Sequence, residues 1–402
     1  MLKTLRKQAG RALRRLGLLP GGVPDGLGED AQLDEFLIES RAVVFFPDTP
    51  ENLYQIRQWY DALQALDAAM GVTIVTQDSR TARAIRGEVE LPVLIVGLNR
   101  TYSALIRRSK VQLALYVGQS NNNAVGQRSA EIAHVFLSHG DSDKAVAASN
   151  LVKGFDFAFV AGQAAVDRYA ASVKFFDVDQ RLRVIGRPQL PERGERTDAT
   201  TVLYAPTWEG SQDINAYSSV ASHGLEIVKS LGSDPDLSIV YRPHPRTGVS
   251  NASFGVADAA IREFVGSLGD RGRVDTSADA APALRGADVM ISDISAIAVD
   301  WLSQSRPLLI TTPSNPDAQP TGPSKLAQAC PRISATAAPD TARLVRAAIA
   351  DESHASTIGD LADYYLGGLS GAASTARFVE TCVEIGRLRD DQWATSKGAD
   401  DE

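Results

Sequence analysis

Residues 42–75 read AVVFFPDTPENLYQIRQWYDALQALDAAMGVTIV, and this stretch decides the fold class. Its opening, Ala42–Phe46, is an unbroken apolar run, the signature of a strand buried on both faces. Asn52–Leu66 follows with helical spacing, and Val72–Val75 restores the apolar run. Strand, helix and strand in so short a length make a crossover unit. Such units build parallel sheets covered by helices on both sides.

The rhythm continues outward. Val93–Val96, Val111–Val117, Ala133–Leu137 and Phe157–Val160 repeat the strand pattern, and Val184–Ile185 ends a first half. Pro188–Thr200, with Pro188, Pro191 and the charged run PERGERTD, reads as a linker. A second half restarts with strands at Val202–Tyr204, Leu237–Tyr241, Val289–Ile291 and Leu308–Thr311. Leu225–Leu231, Ala259–Leu268 and Ala296–Leu302 are the helices between them, and residues 340–389 are Ala-rich and helical. The expected organisation is α/β: a segment over 1–25, Rossmann-like domains over 30–190 and 200–340, terminal helices over 341–395 and an acidic tail over 396–402. Two such domains facing a central cleft offer the usual seat for a nucleotide-type ligand. Neither GxGxxG nor GxxxxGK[ST] occurs, so dinucleotide and Walker-type phosphate binding have no support.

Composition narrows the classes further. The chain has 402 residues, 44% of them hydrophobic, which is enough for two cores and excludes wholesale disorder. With 41 Lys and Arg against 49 Asp and Glu, the net charge of −8 argues against a nucleic-acid partner. No window is apolar enough for a transmembrane helix. Cys330 and Cys382 cannot build a zinc knuckle or a disulfide framework, and suit a reducing compartment.

The N-terminus has its own character. Lys3, Arg6, Lys7, Arg11, Arg14 and Arg15 precede the first acid, Asp25, while Leu2, Leu5, Leu13 and Leu16 fall largely on one helical face. A basic amphipathic helix of this kind can lie in an anionic membrane surface. The alternative is a solvated leader helix packed on its own domain. Without an apolar core or a small-residue cleavage site, it does not read as a secretory signal.

Four loops carry the chemistry, each directly after an expected strand. Ser138-His139-Gly140-Asp141-Ser142-Asp143-Lys144 places a histidine at the crevice edge, where it can take a proton from an attacking hydroxyl. A lone histidine in such a loop can equally bond a nearby carbonyl, and His134, inside the strand, reads as structural. Arg242-Pro243-His244-Pro245-Arg246 fixes a second histidine between prolines and flanks it with guanidinium groups suited to a diphosphate. Tyr204-Ala205-Pro206-Thr207-Trp208 offers Thr207 to a phosphate and Trp208 as a wall, or else is a Pro-set turn with a packed Trp. Ser292-Asp293-Ile294-Ser295 ends a strand and enters a helix, where capping alone explains the residue types, although the helix's free N–H groups and positive dipole end also attract anions.

In this order and spacing the loops resemble the CDP-glycerol glycerophosphotransferase family, the enzymes that prime and polymerise teichoic acids. The family pattern runs Trp-His-Gly-Thr-Pro-x-Lys, Tyr-Ala-Pro-Thr-Trp, Arg-x-His-Pro and Ala-Asp-x-x-Ile-Thr-Asp-Tyr-Ser-Ser, followed by Asp and Arg-Pro. This chain matches with His139-Gly140 and Lys144, Tyr204–Trp208, His244-Pro245, Ala287-Asp288 through Ser295, Asp300 and Arg306-Pro307. The resemblance implies a GT-B-like fold, peripheral attachment to the cytoplasmic face of the membrane, and transfer of glycerol phosphate from CDP-glycerol to the hydroxyl of a lipid-linked acceptor, with release of CMP. It makes His139 the general base and His244 the group that binds the donor diphosphate, beside Arg242 and Arg246. Thr207, Ser292, Asp293 and Ser295 then hold phosphate or glycerol oxygens, and Gly140, Asp141 and Lys144 lie on the acceptor side.

Where the family has Trp and Thr-Pro-x around the His-Gly pair, this chain has Ser138 and Asp141-Ser142-Asp143, and Ile294 and Ala296 replace a Tyr and a Ser. The two added acids are expected to hold an imidazolium and to repel an anionic acceptor. These departures leave open another polyol or sugar phosphate as the transferred group. No carboxylate cluster demands a metal, although Asp141 and Asp143 leave a divalent ion open, and no cofactor beyond the donor is required. Competing readings are a GT-B glycosyltransferase using a nucleotide sugar, which would release a nucleoside diphosphate, and a membrane-associated scaffold without turnover.

Overall fold

The computed structural model describes residues 24–25, 29–138, 140–143, 148–195, 200–210, 213–318 and 324–399, the last four of these by backbone alone. The basic segment before Pro24, His139, Lys144 and the final residues 400–402 lie outside the described residues.

Two parallel sheets organise the chain. The first contains β1 (Ala42–Phe46), β2 (Val72–Thr76), β3 (Val93–Ile95), β4 (Leu113–Tyr116), β5 (Ala133–Phe136), β6 (Phe157–Val160) and β7 (Leu182–Val184). Their order is β3-β2-β1-β4-β5-β6-β7, with every pairing parallel. The second contains β8 (Thr200–Ala205), β9 (Leu237–Tyr241), β10 (Gly272–Val274), β11 (Val289–Ser292), β12 (Leu308–Thr311) and β13 (Arg332–Ile333), in the order β10-β9-β8-β11-β12-β13. It too is parallel throughout. Each sheet reverses direction of winding between its first and fourth strands, which opens a crevice at the carboxyl ends.

The unbroken apolar strands are explained by what covers them. On β1, Ala42, Val44 and Phe46 join one core with Trp59, Leu63 and Leu115, while Val43 and Phe45 join another with Tyr102 and Tyr116. On β8, Leu203 and Ala205 face one core, and Val202 and Tyr204 the other. Successive residues point to opposite faces, so a strand buried on both sides loses the polar alternation of a half-exposed one.

The structure departs from the sequence reading in a few elements. The helix expected over Asn52–Leu66 is two, Leu53–Arg57 and Tyr60–Met70. Between them Trp59 is driven into the core, and its indole N–H donates to the Ser138 carbonyl at 2.8 Å. Strands β10 and β13 lack the apolar run that revealed the others; both are short edge strands, where half the side chains meet water. The expected linker is pinned rather than loose: Gly194 donates to Gln304 Oε1 at 3.0 Å, and its carbonyl accepts from Arg306.

The C-terminal residues form helices Thr341–Ala350, Glu352–Leu366 and Gly371–Ala399. The last returns to the first sheet, where Phe378, Cys382 and Ile385 enter its core and the Phe378 ring stands 5.5 Å from that of Trp59. It continues as a helix through Ala399, beyond the start expected for the tail. Cys330 and Cys382 are free and buried in separate cores. Burial pushes the Cys330 thiol up to about 12. Among the described residues no helix is long and apolar enough to cross a membrane.

Candidate active site

Trp208 is the centre of the second domain's site. The ring of His244 stacks on it at 6.3 Å between centroids, and the Arg246 guanidinium lies 4.4 Å from the ring centroid. The prolines at 243 and 245 restrict the backbone around His244, as the sequence implied. The ring is further set by the Arg246 N–H, which donates to His244 Nδ1 at 3.1 Å. That bond makes Nδ1 the acceptor and leaves Nε2 as the ring nitrogen able to donate.

Glu209, unremarked in the sequence, holds this arrangement together. One carboxylate oxygen accepts from the Ser250 and Asn251 N–H groups at 2.8 and 3.1 Å, and the other from Gly248 at 3.0 Å. Burial works to raise its proton affinity, but these backbone donors outweigh burial and hold the carboxyl below its ordinary value. The signal was present, since Glu209 directly follows Trp208. Its partners lie 39 to 42 residues away, and no local pattern reveals them.

Arg242 is already committed. Its Nη1 donates to Asp275 Oδ2 at 2.7 Å and to Ser277 Oγ at 3.1 Å, and Nη2 donates to the Ser277 carbonyl at 3.0 Å. Arg246 is exposed and makes no ion pair among the described residues.

The segment after β11 organises rather than lines the site. Asp293 is fully buried and accepts from the Thr207 N–H at 2.7 Å, the Ser219 N–H at 3.2 Å and the Thr311 hydroxyl. Burial raises its proton affinity, against these donors. Ser292 Oγ donates to the Ala205 carbonyl at 2.7 Å and meets Ser295 Oγ at 3.0 Å, while Ser295 caps the helix Ala296–Trp301. With both carboxylate oxygens of Asp293 and the Ser292 hydroxyl committed inside the fold, these residues position the Thr207 loop. Arg306, buried, bonds the carbonyls of Arg285, Ala287 and Gly194, and so fixes the linker.

The first domain supplies the Ser138–Asp143 loop. Ser138 is left-handed at φ 61° and its hydroxyl donates to the Gly140 carbonyl at 2.9 Å. Gly140 abuts the other domain: a Cβ there would stand 3.1 Å from that of Ala296. The acids that follow are not bare charges. Arg168, buried on the helix Gln163–Ser172, bonds Asp141 Oδ1 with Nη2 and Asp143 Oδ1 with Nη1, the latter at 3.0 Å. Asp143 Oδ2 also accepts from Ser324 at 2.6 Å and Tyr365 at 2.5 Å. Arg168 offsets one of these two charges, and Asp143 latches the loop to the second domain and the terminal helices. Burial still raises the proton affinity of Asp141, against Arg168 and Arg187.

The structure thus joins the Ser138–Asp143 loop to the Ser292–Ser295 segment through Gly140 and Ala296. It joins that segment to the Thr207–Trp208 loop through Asp293, and that loop to His244 through Trp208 and Glu209. His134 is structural, its Nε2 against the Ser129 carbonyl at 2.9 Å and its Nδ1 against the Tyr116 hydroxyl at 3.0 Å. Among the described residues no group of His, Cys, Asp and Glu is arranged to hold a metal.

Several solved structures share the architecture. The wall teichoic acid polymerase TagF superposes with a TM-score of 0.57 at 14% identity, covering 97% of this chain and 98% of that one. A variant of TagF soaked with CDPG gives 0.53 at 13% identity, over 97% of this chain and 98% of the other. A putative UDP-N-acetylglucosamine 2-epimerase from Listeria monocytogenes gives 0.55 at 11%, over 84% and 94%. At such identities these likenesses establish the two-domain fold. No curated protein matches the chain in sequence. Residues 190–316 match the family model described as CDP-Glycerol:Poly(glycerophosphate) glycerophosphotransferase. That match spans the Trp208, His244 and Asp293 loops, so over these residues the chain is similar to that family.

Proposed function

We propose that the protein transfers glycerol phosphate, or a closely related polyol phosphate, from CDP-glycerol to a hydroxyl of a membrane-linked acceptor in the synthesis of a teichoic-acid-like polymer. The observation that carries this reading is the His244–Trp208–Arg246 stack within the segment that matches the family.

In this reading the acceptor oxygen attacks the glycerol-bearing phosphorus. The bond from that phosphorus to the bridging oxygen breaks, and CMP leaves. His139 takes the proton of the attacking hydroxyl. His244, whose accepting Nδ1 fixes the proton on Nε2, donates that N–H to the donor diphosphate, and Arg246 adds positive charge beside it. Transfer of this kind needs in-line positioning and charge neutralisation more than covalent chemistry. Arg242 acts by fixing its loop on Asp275, and Asp293 by fixing Thr207. Attachment to the cytoplasmic face of the membrane through the basic segment before Pro24 belongs to the same proposal.

The test is CMP release from CDP-glycerol, with and without a lipid-linked glycerol-phosphate acceptor, for wild type, His139→Ala and His244→Ala. Acceptor-dependent CMP release that both folded variants lack supports the assignment. Release of a nucleoside diphosphate from a nucleotide sugar would transfer the protein to the glycosyltransferase reading.

A further inference from the structure

A small cavity of about 30 Å³, open to solvent, lies at the carboxyl ends of β5, β6 and β7 in the first domain. Trp59, Ser138, Asp141, Tyr169, Arg187 and Gln189 are among its walls, as is Gly140, so both chain neighbours of His139 line it. Trp59 and Tyr169 give it flat apolar sides, and the indole N–H of Trp59 is already spent on the Ser138 carbonyl. The charges in the wall are paired: Arg187 with Asp300, and Arg168 with Asp141 and Asp143.

Against that background, two residues of the wall carry three buried polar atoms that have no partner among the described residues. They are Asp141 Oδ2 and both ends of the Gln189 amide, Oε1 and Nε2. A buried polar group left unpaired is costly, so an amide with both ends unpaired calls for a ligand that donates and accepts. A hydroxyl does both, and it satisfies the amide whichever way that group is turned. A phosphate only accepts at its ionised oxygens, and it would meet Asp141.

We infer that this pocket is a subsite for the neutral, hydroxyl-bearing end of a polyol: one hydroxyl donates to Asp141 Oδ2, another bridges the Gln189 amide, and the carbon chain lies against Trp59 and Tyr169. The inference deepens the function proposed above and rests on it for the identity of that polyol, which is the growing end of the acceptor. It also gives Asp141, a departure from the family pattern, a task in choosing the acceptor.

The experiment measures binding alone, by NMR titration of the full chain with sn-glycerol 3-phosphate and with n-propyl phosphate, which has the same carbon count and no hydroxyls. The variants are Gln189→Leu and, as a control away from both sites, Lys229→Ala on the helix Leu225–Gly232. Wild type and Lys229→Ala should bind glycerol 3-phosphate about tenfold or more tightly over n-propyl phosphate. Gln189→Leu should lose that preference while unfolding at the same urea concentration as wild type or a higher one, since it removes an unpaired amide. Equal binding of the two probes by wild type, or a preference that survives in Gln189→Leu, overturns the subsite. Absence of CMP release from CDP-glycerol with the preference intact would instead remove the proposed reaction and leave the polyol subsite standing.

Discussion

Arg187 closes a fork on Asp300 across the junction of the two domains: Nε and Nη2 reach Oδ1 at 3.1 and 2.9 Å, and Nη2 reaches Oδ2 at 3.1 Å. Arg187 follows β7, and Asp300 stands on the helix Ala296–Trp301. Both side chains are largely withdrawn from water, and burial raises the proton affinity of Asp300 against the pull of Arg187. The pair therefore sets how the pocket of the first domain faces the segment after β11 in the second.

Asp300→Asn leaves a buried guanidinium without its counter-charge. It should cost about 3–5 kcal/mol in urea unfolding. Asp300→Leu combined with Arg187→Met should recover most of that loss, because no buried charge is then unpaired. A cost below about 1 kcal/mol for Asp300→Asn would place the pair among solvated surface contacts.

The contact between Gly140 and Ala296 makes a rescue prediction. Gly140→Ala places a methyl 3.1 Å from the Ala296 Cβ, closer than ordinary van der Waals contact, and pushes the loop away from the second domain. Turnover should fall by about tenfold to a hundredfold, since small misplacements of reacting groups are costly. Adding Ala296→Gly should restore it. Steady-state kinetics of the two single variants and the double variant decide the point.

Glu209 should act through His244 without touching the reaction. Glu209→Ala frees three backbone N–H groups and should raise the donor KM and lower kcat/KM by about a hundredfold. Its carboxyl is held below the ordinary 4.5, so the stability it contributes is present above that value and lost as pH falls through the depressed one. Urea unfolding from pH 6 down to pH 3 should show that loss in wild type and a weaker one in Glu209→Gln.

Near-neutral pH carries a separate signature. Burial holds His134, His223 and His354 below the ordinary histidine value of 6.5. As pH falls past 6.5 the unfolded chain therefore binds more protons than the native one, and stability declines in that direction. His354 Nε2 accepts the Leu308 N–H at 3.2 Å, a bond that protonation at that nitrogen removes. His354→Gln, which keeps an acceptor, should flatten the decline between pH 7 and pH 5 in thermal unfolding. An unchanged slope would exonerate His354.

Much of the fold was legible because its strands are buried on both faces. Phe157–Val160, Leu237–Tyr241 and Leu308–Thr311 coincide with the apolar runs, since in a covered parallel sheet hydrophobicity is continuous along the strand. Edge strands β10 and β13 escaped because one side of each meets solvent, and burial then leaves no mark on the sequence.

The site divides differently. Spacing and residue type in the sequence picked out four candidate loops, and each follows a strand, one in the first sheet and three in the second. Which side chains face a ligand and which hold the loops was decided only by tertiary structure. Asp293 and Arg242 read in sequence as phosphate binders, yet one is sealed beneath Thr207 and the other is spent on Asp275. Glu209, Arg168 and Gln189 belong to no pattern in the sequence, yet they brace the His244 loop, bond the acids beside His139 and line the pocket. A residue's type states what it can bond. Its partners, far away in the chain, decide whether that capacity is already used.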